Sequence, residues 1–535
     1  MDKLRLSKAL KYIPNKLRRF LLITLCFFLF FIPFSLHVWT VAPEDVRRSL
    51  LLQAIANDPL LDTATSEVYP KPAIDRTVSD GKDDILKDLP NLPPSYLEKH
   101  NPHPWSGNNK CAQYPPLFDI SFNNLYWQVL QTSNGTFYLF SAFYDNRTLN
   151  KKKPSLRILG MMNRINPTVK THCQIWYDDN NSPVISNITE YRYIWIKEWG
   201  NQKQGILQPY LMECVVPAEH RHQVPQSVSL VEKPCDKPTN NLRIINNQPQ
   251  DGQKKDFAVC VKGLDFSYVD LSVRIVEWLE VLFSLGADKV FFYNLGIHPN
   301  ISKILNYYEH IGRVDVKKLT LPGEQPNVRG LLHMYLKHKT LHQWQNELIP
   351  FNDCIYRNIY RYKFVLLLDI DEVIMPKTAE DWESLMEQVA PGAMTTNNYT
   401  HASYCARNVY FLDSMQDAHG HVHNIPPYLH MMQHIYRAAN YTPPGHYVKC
   451  LHDPEKIVTI HNHYPFSCFA YCNSKNMPEK HVHLQHYRKE CAGELGSLCI
   501  YFKNHTILDD RVLRYTEVLT KNINNTLYQL GFLKR

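Results

Sequence analysis

The stretch KFVLLLDIDEVIMP, residues 363–376, decides the fold of this chain. It begins with an apolar run of strand length, which is followed by three acids, Asp369, Asp371 and Glu372. A short apolar run of this kind is typical of a buried strand. Because alternate residues of an extended segment point the same way, Asp369 and Asp371 share one side. Two carboxylates this close repel each other, and a divalent cation between them relieves the repulsion. The stretch therefore predicts a metal or ligand site at the end of a buried strand.

The residues before this stretch alternate between strand and helix patterns. The expected elements are a strand at 257–262, a helix at 270–285, a strand at 289–293, a short helix at 302–310, a strand at 314–321 and a helix-prone stretch at 331–360, broken near Pro350. This succession is typical of parallel strands joined by helices, whose ligands bind at the carboxyl ends of the strands. The predicted fold class is therefore α/β, with a doubly wound, mostly parallel sheet.

Two other interpretations of the acidic stretch stay open. Surface acids also follow strands without binding anything. Through Val373 the stretch also fits D-x-D-x-[TV], the nucleophile motif of haloacid-dehalogenase-type phosphatases. That fold places most of its βα units after the motif and needs a later lysine and an acid pair at a strand end. Here the units come first, and Asp509-Asp510 follows only two apolar residues, so the phosphatase interpretation is the weaker one.

The first 41 residues have the pattern of a membrane anchor. Residues 1–19 carry seven Lys and Arg against one acid, and residues 20–41, FLLITLCFFLFFIPFSLHVWTV, carry no charge. As a helix the uncharged run spans about 33 Å, enough to cross the hydrocarbon core. The positive-inside rule keeps the basic cluster cytoplasmic and puts the rest of the chain in the lumen or outside. A cleaved signal peptide is the alternative, which the length of the run and Pro43, directly after Thr40-Val41-Ala42, disfavour.

The cysteines and the glycosylation sequons agree with a lumenal location. Twelve cysteines follow the anchor, an even number that predicts disulfides in an oxidising compartment: Cys111, Cys173, Cys214, Cys235, Cys260, Cys354, Cys405, Cys450, Cys468, Cys472, Cys491 and Cys499. N-x-[ST] sequons recur in the same part, at Asn134, Asn146, Asn180, Asn187, Asn300, Asn398, Asn440, Asn504 and Asn524. We therefore expect a disulfide-bonded glycoprotein.

Composition divides the chain into segments. Residues 1–19 are expected to be a cytoplasmic tail, residues 20–41 the transmembrane anchor and residues 42–110, rich in Pro, Asp and Lys, an extended stem. Residues 111–245 alternate short apolar and aromatic runs with turn residues, which predicts a small β-rich lumenal domain. The polar stretch 240–255 is expected to be a linker to the α/β catalytic domain, residues 256–515.

Charge and missing motifs exclude several classes of protein. The formal charge is +8, of which residues 1–19 hold seven bases minus one acid, or +6, which leaves +2 for the rest of the chain. So balanced a surface gives no reason to expect nucleic acid as a partner. The sequence also lacks the P-loop, dinucleotide, zincin and nucleophile-elbow signatures.

From about Phe137 to Arg488 the chain resembles glycosyltransferase family 92, a group of type II Golgi enzymes. The motifs that carry the resemblance are SAFYDNR (141–147), AVCVKGL (258–264), EWLEVLFSLGADKVFFYN (277–294), QNELIPFNDCIYR (345–357), LLLDIDEVIMP (366–376), RNVYF (407–411), the KC…P…H run (449–461) and HYR (486–488). Several motifs in one order are more specific than a lone acidic pair. The resemblance implies a GT-A-type fold and Mn²⁺-dependent, inverting transfer of galactose from UDP-galactose to a glycan.

The resemblance also implies a metal site on the acidic pair. Asp371 is expected to contact the metal directly, and Asp369 to contact the ribose or the metal. His461 and His463 are the candidates for a further ligand from a downstream loop, since neutral imidazole suits Mn²⁺ beside carboxylates.

The nucleotide is expected to lie against two other segments. Arg488, together with His486 and Tyr487, is expected to face the diphosphate, onto which a guanidinium donates two hydrogen bonds. Fold analogy places the uracil or ribose at Val261 and Lys262, the end of the first strand of the α/β domain.

Two further sets of residues have patterns that suggest chemistry. Inversion in one displacement needs a base opposite the UDP, for which Glu372, Asp413 and Asp453 are candidates. Asp413 is preferred because it follows the expected strand 408–412, where an acceptor-side loop begins. The cluster Cys468, Cys472, His481, His483 and His486 has the spacing of a zinc site, but disulfides are the better expectation in an oxidising lumen.

The sequence thus predicts a single-pass type II protein of the Golgi membrane with a lumenal catalytic domain. Its predicted activity is metal-dependent, inverting transfer of galactose from UDP-galactose to a glycan on a glycoprotein or glycolipid. The alternatives are a catalytically silent lumenal glycan-binding protein and, less favoured, the phosphatase. Metal-dependent release of UDP separates the first hypothesis from the other two.

Overall fold

The structure of the chain, a computed structural model, describes residues 85–86, 88–97, 111–178, 182–394, 401–491 and 495–534. All of them belong to one compact unit, Asp80–Arg535. The predicted tail and membrane anchor, residues 1–41, lie outside the described residues, as does most of the predicted stem. Among the described residues, no helix is both long enough and apolar enough to span a membrane.

A nine-stranded sheet occupies the first part of this unit. Its strands are β1 (Phe122–Asn124), β2 (Trp127–Thr132), β3 (Gly135–Asp145), β4 (Ser155–Met162), β5 (His172–Trp176), β6 (Val184–Tyr193), β7 (Gln208–Val215), β8 (Ser227–Val231) and β9 (Leu242–Ile245). They run in the order β1-β2-β3-β4-β7-β6-β5-β8-β9, and each pairing in that order is antiparallel.

This sheet closes on itself because β3 is long enough to pair with three strands. It pairs with β2 through residues 135–139 and with β4 through residues 137–145, while Ala142 and Phe143 also pair in parallel with β9. Strands β3 to β9 thereby form a closed ring. Side chains alternate between the two faces of a strand, and one face buries an apolar core that includes Ile158, Met212 and Val228.

Strands and helices then alternate. These elements are β10 (Lys255–Phe266), α1 (Ser272–Ser284), β11 (Lys289–Ile297), α2 (Pro299–His310), β12 (Val314–Lys318), α3 (Arg329–His338), α4 (Thr340–Asn358) and β13 (Tyr362–Leu367). Each strand and helix expected in this region is confirmed, with small shifts in its bounds. The helix-prone stretch divides at Lys339, however, and Pro350 lies inside α4.

Helices cover both faces of this second sheet. Its first four strands are parallel, in the order β12-β11-β10-β13. Phe257, Val259 and Val261 of β10 pack in one cluster with residues of α1 and α2. Ala258 and Cys260 pack on the opposite face with α4, and this second cluster also contains residues of the closed sheet. Helix α4 therefore lies between the two sheets.

Shorter elements complete the chain. They are β14 (Glu372–Pro376), α5 (Trp382–Val389), β15 (Ser403–Ala406), β16 (Asn408–Leu412), α6 (Asp413–Asp417), α7 (His430–Gln433), β17 (Tyr436–Ala438), β18 (Lys449–His452), β19 (Ile457–Ile460), β20 (Pro465–Cys468), β21 (Ser474–Asn476), β22 (Val482–Arg488), α8 (Ser497–Asn504), β23 (Thr506–Leu508) and α9 (Thr516–Gln529). Strand β18 joins β13 antiparallel, and β15 and β21 follow it at the sheet edge. A separate sheet has the order β14-β22-β16.

The predicted fold class, a GT-A-type doubly wound and mostly parallel sheet preceded by a small β-rich domain, is wrong; the transmembrane helix predicted before it lies outside the described residues. The largest sheet is closed and antiparallel except for the β3–β9 pairing, and the second sheet is mixed. The alternation of strand and helix that predicts parallel pairing covers only β10 to β13. The expected linker 240–255 also contains β9, whose Leu242 and Ile244 are buried in the closed sheet.

The predicted disulfide framework is confirmed, since all twelve cysteines beyond residue 41 are paired. The pairs are Cys111–Cys235, Cys173–Cys214, Cys260–Cys354, Cys405–Cys450, Cys468–Cys472 and Cys491–Cys499. The Cys260–Cys354 bond links β10 to α4, so one covalent bond holds the parallel strands against the helix between the sheets.

Arg147 ties the closed sheet to the second half of the chain. Its buried guanidinium pairs with Asp145, 2.8 Å between Nη2 and Oδ2, and donates from Nη1 to the carbonyl oxygen of Pro454 at 2.6 Å. Arg157 of β4 also reaches Asp145, with Nε 3.3 Å from Oδ2. Burial alone would raise the pKa of Asp145, but Arg147 and Arg157 outweigh it and lower that pKa. The SAFYDNR motif therefore supplies a buried ionic connection.

We predict that Asp145→Asn lowers the free energy of unfolding by about 3–5 kcal/mol, since it leaves buried guanidinium charge uncompensated. The matched control is Asp119→Asn, whose exposed pair with Lys237 has the same 2.8 Å separation and should cost about 0–1 kcal/mol. Urea denaturation of both variants measures the difference. Equal losses would contradict a special role for the buried pair.

We also predict a pH dependence from His452 of β18. Burial lowers the pKa of this histidine to about 3. The folded protein therefore keeps the ring neutral, whereas the unfolded chain takes up a proton near pH 6.5. Because only the unfolded chain binds this proton, the folded protein is at its most stable, as far as His452 is concerned, above pH 6.5. Acidification lowers the free energy of unfolding by about 2 kcal/mol between pH 7 and pH 5. Urea denaturation at the two pH values should show a smaller loss for His452→Gln than for the wild type; identical losses would contradict the prediction.

Candidate active site

A cleft of about 380 Å³ lies at the carboxyl ends of β10 and β13, beside the end of β22. Ligands of parallel strands bind at this end of a sheet, and the volume suits a small organic ligand. The charged side chains on its wall include Lys262, Arg274, Asp369, Asp371 and Arg488. The cleft thus presents carboxylates and several cations to the same ligand.

Hydrogen bonds fix the acidic turn between β13 and β14. The backbone N–H of Glu372 donates to the carbonyl oxygen of Asp369 at 3.0 Å, and the N–H of Asp369 donates back to Glu372 Oε2 at 3.0 Å. The N–H of Tyr487, in β22, donates to the carbonyl oxygen of Asp371 at 2.8 Å. The two aspartates are therefore held in place by the β14–β22 pairing, in which Glu372 lies opposite His486.

Two lysines hold the Asp369 carboxylate. Lys262 Nζ lies 3.3 Å from Oδ1, and Lys449 Nζ lies 3.4 Å from Oδ2. Burial alone would raise the pKa of Asp369, but the two ammonium groups outweigh it and hold the pKa well below its usual range. Asp369 is thus an ionised carboxylate with both oxygens already engaged.

Asp371 is the more accessible member of the pair. Its side chain is 41% exposed, against 20% for Asp369, and Oδ2 lies 3.6 Å from His486 Nε2. Partial burial alone would raise the pKa of Asp371, but the His486 imidazole outweighs it and lowers that pKa. Burial would likewise lower the pKa of His486, but Asp371 and Glu372 outweigh it and raise that pKa.

Glu372 is a buried structural acid. Its Oε2 lies 3.0 Å from Lys449 Nζ, and its Oε1 lies 3.6 Å from His486 Nδ1. Burial raises the pKa of Glu372 in spite of Lys449. With its side chain only 3% exposed, Glu372 is not placed to take a proton from a ligand in the cleft.

Asp453 and Asp413, the other predicted bases, lie in different surroundings. Burial raises the pKa of Asp453 to about 6, and its side chain, 3.6 Å from Lys456 Nζ, does not line the cleft. Asp413 opens α6, directly after β16. Its carboxylate faces the imidazoles of His430 and His434, and its side chain is 32% exposed.

The predicted histidine ligands His461 and His463 do not line the cleft. The His461 ring packs on Trp199, with 4.5 Å between ring centroids. His463 Nδ1 donates to the carbonyl oxygen of Val448 at 2.9 Å, and burial, reinforced by Lys449, lowers its pKa to about 3. The structure instead brings His486 to the acidic pair.

The predicted nucleotide-binding residues share the cleft. Val261, Lys262 and Arg488 all line it, together with Tyr487 and His486. Lys262 belongs to β10 and Arg488 ends β22, so two different sheets supply these cations. Their ligand roles stay predictions, but their positions permit contact with one anion.

Sequence reasoning missed Lys449 and Glu347. Lys449 of β18 contacts both Asp369 and Glu372, and Glu347 of α4 lies 3.4 Å from Lys262. Both lie in motifs that carry the family resemblance, but neither has a local signal for contact with the acids, because each reaches the acidic turn only through the fold. His430 and His434 were also missed, although their i, i+4 spacing on a helical turn is a visible signal.

The zinc interpretation of the C-terminal cysteines is wrong. Cys468 and Cys472 form a disulfide, and disulfide sulfurs are not thiolate ligands. His483 is buried beside Asp509 and away from the cleft, with Nε2 3.7 Å from Oδ2. Asp509, which the phosphatase interpretation would need at an active site, is bound instead by Arg437 at 2.7 Å.

The residues at the acidic turn fit a divalent cation at Asp371 and His486. A carboxylate and an imidazole are both ligands that Mn²⁺ accepts, and these two line the cleft with 3.6 Å between them. Asp369 is less suited to direct contact, because a cation there would compete with two ammonium groups.

Comparison with known proteins shows the family of this chain. A search of curated proteins finds no match. The model of glycosyltransferase family 92 matches residues 255–523, just over half of the chain, and the match includes β10, the acidic turn, β18 and β22. This chain therefore belongs to glycosyltransferase family 92.

Proposed function

We propose that this protein is a metal-dependent, inverting glycosyltransferase that transfers galactose from UDP-galactose to a glycan of a glycoprotein or glycolipid in the Golgi lumen. Membership of the family supports a sugar donor and a glycan acceptor. The observation that carries the metal-dependent part is the pairing of Asp371 with His486 on the wall of a cleft that also holds Lys262 and Arg488.

Each part of the cleft has a role in this proposal. A divalent cation supplies the charge that neutralises a diphosphate leaving group. Asp371 and His486 would hold that cation. Lys262 and Arg488 would bind the phosphate oxygens or the ribose, and Lys449 keeps Asp369 ionised behind them. The positive charges of the metal ion, Lys262 and Arg488 would attract an anionic ligand to the cleft.

The donor sugar and the compartment rest on other arguments. Galactose follows from the resemblance to the family, which implies UDP-galactose as donor. The six disulfides support an oxidising compartment. Inversion needs a base opposite the diphosphate, and the burial of Glu372 and Asp453 argues against both of them for that step.

The test is release of UDP from a panel of UDP-sugars, with Mn²⁺ or a chelator and with or without a mixed glycan acceptor. We expect release from UDP-galactose that needs the metal. Asp371→Asn should lower the rate roughly 100-fold or more, since a catalytic cation contributes several kcal/mol. Asp417→Asn, an exposed acid of α6, is the matched control and should keep wild-type activity.

Two results would contradict the proposal. A folded protein that binds UDP but releases none from any sugar, even with acceptor, would favour a silent glycan-binding protein. Full activity of the wild type in chelator, or of the Asp371→Asn variant, would show that the reaction does not need the cation.

We further predict that His486→Gln raises the Mn²⁺ concentration needed for half-maximal activity by about 10–100-fold, while excess Mn²⁺ restores the rate. The comparison is His463→Gln, which removes an imidazole that does not line the cleft. Titration of UDP release with Mn²⁺ measures both variants. If His463→Gln raised the Mn²⁺ concentration needed for half-maximal activity and His486→Gln did not, the metal ligand would be His463 and not His486.

A further inference from the structure

A second cluster of side chains that could bind a metal lies beside the cleft, apart from the acidic turn, and one of its members lines the cleft. It consists of Asp413, which opens α6, and of His430 and His434, one helical turn apart at α7. Their ligand atoms lie within 4.8 Å of one another, and Asp413 Oδ1 is 3.4 Å from His430 Nε2 and 3.1 Å from His434 Nε2. The proposed donor site uses none of the three.

A hydrogen bond made by Nδ1 of His434 decides whether Nε2 of the same ring carries a hydrogen. His434 Nδ1 lies 2.6 Å from the carbonyl oxygen of His430. A carbonyl oxygen only accepts, so Nδ1 carries the hydrogen, and Nε2 of the neutral ring holds a lone pair. That lone pair faces a carboxylate oxygen at 3.1 Å. Two acceptors at this distance need a cation between them, and a histidine that binds a metal commonly donates its other N–H to a carbonyl.

The distances fit a metal ion as that cation. Ligand atoms at about 2.0–2.1 Å from a tetrahedral Zn²⁺ lie about 3.3 Å apart, close to the observed 3.1 Å and 3.4 Å. A hydrogen on each Nε2 would also account for both contacts, but it would require a charged His434 imidazolium, since Nδ1 of that ring already carries a hydrogen; one metal ion would bind both lone pairs and the carboxylate oxygen together. The two rings lie 4.0 Å apart by centroid, so one ion would satisfy both.

The cluster is preformed and accessible. The buried carboxylate of Glu277 accepts hydrogen bonds from the N–H groups of Met431 and Met432, each at 3.0 Å, and so holds α7 in place. His430 lines the same cleft as Asp371, and the Asp413 side chain is 32% exposed. An ion can therefore enter from the cleft and keep a coordination position open toward it.

We propose that Asp413, His430 and His434 form a second metal site, for Zn²⁺, beside the cleft, which His430 lines. Two imidazoles and one carboxylate are the donor set of open zinc sites, which keep a fourth position for water or a ligand. In this site Asp413 is a metal ligand, which replaces its predicted role as a base. The site has its own ligands, so it does not depend on the cation proposed at Asp371 and His486.

The test is Co²⁺ titration of the metal-stripped protein without nucleotide, read from the visible absorption of tetrahedral Co²⁺. We expect one equivalent with the tetrahedral signature, displaced by Zn²⁺. The band should persist in Asp371→Asn and be lost in Asp413→Asn and in His434→Gln, while circular dichroism reports folding. Loss of the band in Asp371→Asn, or its persistence in the other two variants, would overturn the proposal.

A second measurement on the wild-type protein does not depend on the folding of variants. Diethyl pyrocarbonate modifies free imidazoles, and peptide mass spectrometry locates the modified residues. We expect Zn²⁺ to protect His430 and His434 but not the exposed His310. Equal modification of His430 and His434 with and without Zn²⁺ would overturn the proposal.

Discussion

Two lysines, Lys262 on the wall of the cleft and the buried Lys449, control the charge of the acidic turn. Three carboxylates lie within four residues there, and without compensation their repulsion would favour the neutral, protonated forms. Lys262 comes from β10 and Lys449 from β18, on either side of β13, and both contact Asp369. The order of strands in the second sheet therefore decides that Asp369 is ionised and engaged, whereas Asp371, which lines the cleft, lies beside the His486 imidazole of β22.

The rest of the fold positions the strands that carry these groups. Helix α4 packs between the two sheets, is bonded to β10 by Cys260–Cys354 and brings Glu347 to Lys262. The β14–β22 pairing places His486 opposite Glu372 and beside Asp371. The closed sheet takes part indirectly, because Arg147 binds the loop that follows β18. The site thus draws on segments that are far apart in the sequence, which is why the chain needs a large, disulfide-bonded unit to hold it.

What the sequence could predict was local. The apolar runs and helix periodicity between residues 257 and 367 identified the strands and helices there, and the apolar run before Asp369 placed the acids at a strand end. The closed sheet was not predictable from pattern alone, because β9 lies in a polar stretch and its pairing with β3 is long-range. The antiparallel addition of β18 to β13 had no local signal for the same reason. Lys449 was accordingly missed, and His461 and His463 were preferred over His486 because sequence spacing does not show which loop returns to the acidic turn.

The central claim is that a cation at Asp371 and His486 is what lets this cleft hold a diphosphate. Calorimetric titration of the metal-stripped protein with UDP, in the presence of Mn²⁺ and again in chelator, tests it without any sugar or acceptor. The account predicts binding with Mn²⁺ and little or none in chelator. Binding of equal strength in chelator would show that the lysines and Arg488 suffice, and would contradict the claim.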